Sequence, residues 1–130
     1  MKAVVGTADG VYVVDLDTDE VEPSADEAPP RAAPLNLGLP RIVAAARAGS
    51  TIVAAVDSRP PLIVSHDAGR TWRDSGRGLP PGRAVAIAED NPDVMVFATR
   101  NRLYVSSDGG RFWQALAIEL PEIETLAIEP

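Results

Sequence analysis

The segment Ser65-His66-Asp67-Ala68-Gly69-Arg70-Thr71-Trp72 returns 41 positions later as Ser106-Ser107-Asp108-Gly109-Gly110-Arg111-Phe112-Trp113. A chain that repeats at a fixed period builds repeated units and buries the face of each against its neighbour. Other marks keep the same beat. Gly38-Leu39-Pro40, Gly78-Leu79-Pro80 and Leu120-Pro121 each lead into an Ala-rich or Ile-rich apolar stretch. Three units are implied in 130 residues.

Short β-branched runs bounded by turn residues predict the strands of each unit. A first strand follows each Leu-Pro, at Ile42 to Ala46, Ala84 to Ala88 and Ile123 to Ile128. A second falls at Thr51 to Val56 and Val94 to Thr99, a third at Leu62 to Ser65 and Leu103 to Ser106, and a fourth leaves Trp72 and Trp113. The N-terminus opens at the second-strand position, because Lys2 to Thr7 resembles Val94 to Thr99, and Gly10 to Val14 resembles Arg102 to Ser106. Apolar spacing of three and four over helical lengths is absent, so the fold class is all-β. Four-stranded antiparallel units at a period of ~40 to 45 residues are the signature of β-propeller blades. Ala44, Ala45, Ala46, Ala86, Ala88 and Ala127 lie in first strands, where a crowded propeller axis favours small side chains. The expected organisation is one unit of three blades: residues 1–40 with 123–130, residues 41–82, and residues 83–122.

The pattern Ser-x-Asp-x-Gly-x-x-Trp, complete twice, resembles the Asp-box, or bacterial neuraminidase repeat, of sialidases, sortilin-like receptors and photosystem II assembly factors. The resemblance covers nearly the whole chain. Physically the motif suits a tight turn between third and fourth strands. Asp67 and Asp108 can accept backbone N–H bonds, Gly69 and Gly110 can supply positive φ, and Trp72 and Trp113 can pack at the blade edge, with Ser65 and Ser106 opening each turn. The resemblance implies that these boxes are structural and lie away from any active site. Counting back 41 from Ser65 gives Ser24-Ala25-Asp26, but Ala28 and Arg31 replace the glycine and tryptophan. With Pro23, Pro29, Pro30 and Pro34 intruding, that box reads as decayed and Pro23 to Pro34 as a loop.

Composition removes whole classes of chemistry. The chain has no cysteine and one histidine, His66, so disulfides, thiolate catalysis, ordinary zinc sites and Ser/His catalysis lack parts. Twelve basic against 19 acidic residues give a formal charge of −7, which repels nucleic acid and anionic membranes. Residues 1–30 hold only Lys2 against Asp9, Asp15, Asp17, Asp19, Glu20, Glu22, Asp26 and Glu27, whereas the remainder balances eleven arginines with eleven carboxylates. No apolar run approaches the ~20 residues of a membrane span, and no charged-then-apolar leader follows Met1, so a cytoplasmic protein is expected.

Two constellations invite ligands. Asp15, Asp17, Asp19 and Asp26 partly match a calcium loop, but Glu20 stands where that loop needs glycine, so an acidic hairpin and no metal are expected. Arg59, Arg100 and Arg102 fall in turns between second and third strands, and Arg41 and Arg83 immediately precede first strands. These five are expected on one face, where guanidinium forks could hold a carboxylate, a glycan or an acidic loop. Tested against sialidase chemistry, the chain offers only Tyr12 and Tyr104, both at apolar third-strand positions, and no Phe/Tyr-Arg-Ile-Pro motif. The reading is therefore a binding or assembly scaffold with no catalytic residues and no cofactor, with a sugar-binding or glycosidase-related propeller as the alternative. Partners are expected to be a second copy or another protein. Because propellers close with ~4 to 8 blades, the terminal strand Ile123 to Ile128 is expected to complete the first blade of a second chain in a six-bladed dimer.

Overall fold

The computed structural model describes residues 1–31, 37 and 41–129. Within them twelve strands form three four-stranded antiparallel sheets and no helix. The first sheet carries β1 (Lys2–Thr7), β2 (Gly10–Asp15) and β3 (Val21–Ser24). The second carries β4 (Ile42–Ala48), β5 (Thr51–Val56), β6 (Leu62–Ser65) and β7 (Arg73–Ser75), and the third β8 (Ala84–Ile87), β9 (Met95–Ala98), β10 (Leu103–Ser106) and β11 (Gln114–Ala115). The last strand, β12 (Ile123–Ile128), joins the first sheet to give the order β12-β1-β2-β3. The landmark Gly38-Leu39-Pro40 and Pro34 lie outside the described residues.

The innermost strands β4, β8 and β12 set the arrangement, since β8 lies against β4 on one side and β12 on the other. The sheet β8–β11 is therefore central, flanked by β4–β7 and by β12-β1-β2-β3. Alternation along each strand gives every sheet two faces. Val53, Ala55, Leu62 and Val64 of the second sheet bury against Val85, Ile87, Met95 and Phe97 of the central one. Val96, Ala98, Leu103 and Leu116 of the central sheet bury against Val5, Val14 and Ile123. Alanines at 44, 55, 84 and 98 pair across the inner strands and let the sheets converge.

Two sequence expectations are corrected here. Ile123–Ile128 does not cross to another chain. It pairs antiparallel with the protein's own β1, Ala3 opposite Ile128 and Val5 opposite Leu126. Backbone bonds from Ala8 N to Glu122 O and from Glu129 N to Lys2 O extend the ladder at both ends. Exchange between chains would be needed only if the N-terminal strands preceded the second sheet in space. They instead follow the third sheet in space, within reach of the chain's own end. The second correction concerns the decayed box. Residues 23 and 24 belong to a strand, with Tyr12 opposite Pro23 and Val11 opposite Ser24. The turn from third to fourth strand is short and lies earlier, with Asp15 N bonded to Glu20 O. Pro23 is tolerated because β3 is an edge strand with no outer ladder to donate into.

One clamp locks the second sheet to the central one. Trp113 Nε1 donates to Ser75 Oγ at 2.8 Å, and the Ser75 hydroxyl donates in turn to the Gly110 carbonyl. Gly110 sits at φ 89°, and a Cβ there would lie 3.0 Å from Val64. Ser75→Ala leaves the buried indole N–H and carbonyl without partners, and a loss of about 1–3 kcal/mol is expected. Urea unfolding of the variant with an unchanged m-value checks this, and wild-type stability would refute it.

Candidate functional site

Each Ser-x-Asp-x-Gly-x-x-Trp segment forms a tight turn between third and fourth strands. In the first, the Ser65 hydroxyl donates to Asp67 Oδ1 at 2.8 Å and accepts the Gly69 amide at 2.8 Å. Asp67 then takes the Thr71 amide at 2.9 Å and the Thr71 hydroxyl at 2.6 Å. In the second, Ser106 donates to Asp108 at 2.8 Å and accepts from Gly110 at 2.9 Å, while Asp108 accepts from Phe112 at 3.0 Å and Arg111 at 3.1 Å. Ala68 and Gly69 hold φ of 62° and 89°, and Gly109 and Gly110 hold 74° and 89°. Asp67 and Asp108 thus spend their lone pairs on their own turns. The Thr71 hydroxyl and amide hold Asp67 down to about 2, and the Phe112 amide lowers Asp108 likewise.

The acidic N-terminal constellation is dispersed. Asp15 accepts the Asp17 and Thr18 amides, chiefly that of Asp17, which holds its carboxyl below the usual range. Asp17 takes the N-terminal ammonium of Met1 at 3.0 Å, and Asp19, at φ 63°, accepts the Ala117 amide at 3.4 Å. Asp26 lies past β3, its own amide on Ser24 Oγ. Among the described residues no three metal-ligating side chains come together. Tyr12 and Tyr104 pack into the two inter-sheet cores, Tyr104 with its ring centroid 6.1 Å from that of Phe97.

The arginines divide into two groups. Arg83 and Arg100 share Glu122 Oε1 at 3.2 and 3.3 Å, and Arg102 meets Glu119 at 3.0 Å. Glu119 and Glu122 come from the connection into β12. The cations were evident in the sequence but not these two anions, which pair with them only once that connection lies beside the β9–β10 turn. Arg41, exposed and at φ 63°, offers its carbonyl to the Asp57 amide at 2.9 Å. Arg59, also exposed, lines a groove of about 520 Å³ with Ser58, Pro60, Pro61, Arg77, Leu79 and Pro80. Arg77 was not singled out in the sequence. Its signal was its position in the connection to β8, opposite the β5–β6 turn. Among the described residues no carboxylate lines this groove, and its proline walls are stiff. A second hollow, of about 410 Å³, lies between the central and first sheets at Met1, Leu16, Asp17, Val105 and Leu116.

Three alternating sheets round a shared line of inner strands define the protein as a β-propeller type of fold. Solved structures similar to it are propellers. YCF48 bound to D1 peptide shares 22% identity at a TM-score of 0.53 over 92% of this chain. A GH74 enzyme from Niastella koreensis shares 20% at 0.51, also over 92%. The chain spans 38% of the length of the first and 18% of the second. No protein-family model matches the chain, and no curated protein matches it.

Asp67 supplies a pH test. Its folded pKa lies below the ordinary 3.8, so its turn stabilises the fold fully above about pH 4 and loses that contribution as pH falls toward about 2. Asp67→Asn is expected to melt lower than wild type at neutral pH and to converge with it near about pH 2. Thermal melts across this range check the convergence, and parallel curves would rule out the assignment.

Proposed function

We propose that this protein is a non-catalytic propeller scaffold that binds an acidic peptide segment of a partner protein through the Arg59–Arg77 groove. The observation that carries the reading is the asymmetry among the arginines. Arg83, Arg100 and Arg102 are occupied by Glu122 and Glu119, whereas Arg59 and Arg77 flank a groove with no anion among the described residues that line it. Two guanidinium forks on a proline-walled cleft suit a carboxylate side chain, with Leu79 and the prolines giving apolar contact to its neighbours. A protein of this fold in complex with a peptide supports peptide binding as a use of the architecture. No catalytic pair favours a glycosidase reading, since the two tyrosines are packed in inter-sheet cores.

Fluorescence anisotropy with a library of labelled Glu/Asp-rich and neutral peptides tests this. Acidic peptides are expected to bind and to weaken at least about tenfold in Arg59→Ala and Arg77→Ala, with little change in Arg83→Ala. Equal binding of neutral peptides, no binding of any peptide, or loss confined to Arg83→Ala would each overturn the reading.

A further inference from the structure

The three sheets share one register, and it matches the two ends of the arc to each other. The cross-strand row Ala44, Ala55, Leu62, Ser75 faces the central sheet. The row Ala84, Ala98, Leu103, Leu116 faces the first sheet. The third row is Thr125, Gly6, Val11, Ser24. It lies on the face of the first sheet opposite Val5, where among the described residues no other sheet packs and Ala28, past β3, approaches to 2.9 Å of the place a Cβ on Gly6 would take. Ser24 therefore occupies the position of Ser75, the hydroxyl of the clamp.

At the other end, the face of the β4–β7 sheet directed away from the centre carries the clamp's other half. Trp72 and Gly69 stand where Trp113 and Gly110 stand one repeat later. Trp72 lies on its own box, and among the described residues its indole finds no acceptor corresponding to Ser75. Val43 on this face is 51% exposed, and Ile63 and Trp72 are half-buried.

A second correspondence is electrostatic. Ile87 and Ala48 belong to the apolar core between the second and central sheets. Their register equivalents at the two ends are Arg47, opposite Ile52 as Ile87 is opposite Met95, and Glu129, which bonds Lys2 as the ladder continues. An apolar pair inside the protein is thus an arginine and a glutamate at its ends. The wider charge agrees: residues 1–31 with 123–129 hold ten carboxylates against Lys2 and Arg31, whereas residues 41–82 hold six arginines against Asp57, Asp67 and Asp74.

We propose that two copies join head to tail, the first sheet of each displacing its own segment at Ala28 from Gly6 to pack against the β4–β7 sheet of the other, closing a ring of six sheets. In each of the two junctions the Trp72 indole donates to Ser24 of the other copy, and Arg47 faces its Glu129. Ser24 Oγ accepts one bond, from the Asp26 amide, and a hydroxyl has room for a second. Matching ends that close after two copies give a discrete dimer, whereas ends that fail to close give filaments. The proposal is independent of the peptide groove, which lies on neither end face.

Sedimentation velocity on the full chain tests it, with circular dichroism to confirm folding. Wild type is expected to sediment as a dimer. Arg47→Glu or Glu129→Arg alone should weaken association at least about tenfold, and both changes in one chain should restore it, since each junction then pairs the swapped charges. Trp72→Phe and Ser24→Ala should each weaken the dimer without lowering fold content. A folded wild-type monomer at micromolar concentration, an open polymer, a dimer indifferent to Arg47→Glu, or a double variant that stays monomeric would each overturn the proposal.

Discussion

The structure turns on a single serine. Ser75 ends the outermost strand of one sheet, yet its oxygen receives the Trp113 indole and its hydrogen goes to the Gly110 carbonyl of the next. Apolar burial between sheets is non-directional and would allow sliding, because Val, Leu and Ala offer no preferred register. A buried hydroxyl that must donate and accept at fixed angles removes that freedom. The octapeptide turn prepares the clamp. Ser106 and Asp108 organise the turn that holds Gly110 at positive φ and leaves its carbonyl facing Ser75. The octapeptide therefore acts on its own hairpin and, through Gly110 and Trp113, on the neighbouring sheet.

The sequence read most clearly where the repeat was intact. Thr51–Val56, Leu62–Ser65, Leu103–Ser106 and Ile123–Ile128 are strands with the expected bounds, because β-branched runs between turn residues leave little choice. It misread where one unit broke the period. Asp15–Glu20 closes a shorter turn than the octapeptide, so counting in steps of 41 fell on the end of β3 and assigned its residues Pro23 and Ser24 to a loop. Ser75 drew no attention, since one serine near a strand end looks like any edge residue. Its role depends on an indole 38 positions away.

The site was legible in residue type and not in pairing. Arginines at strand ends were evident from residue type and position alone. Which of them remained available depended on Glu119 and Glu122, carried in by the approach to β12. Local sequence fixes the position of a charge along its strand. The counter-charge arrives through topology, and only a three-dimensional register decides that Arg83 and Arg100 share one carboxylate while Arg59 and Arg77 flank a groove without one among its described residues.

The pairing of β12 with β1 has a kinetic meaning. Ala3 meets Ile128, so the strand pairing with the greatest sequence separation is also the one that completes a sheet. Loop-closure entropy and high contact order place such a step late. During synthesis Lys2–Thr7 emerges well before Ile123–Ile128 and waits, with one ladder edge open, until that strand follows. Through that interval the edge of β1 is a template for any strand that passes. The lysine and the run of carboxylates around that hairpin give the waiting edge its charge, and like charges on neighbouring nascent chains discourage the wrong pairing.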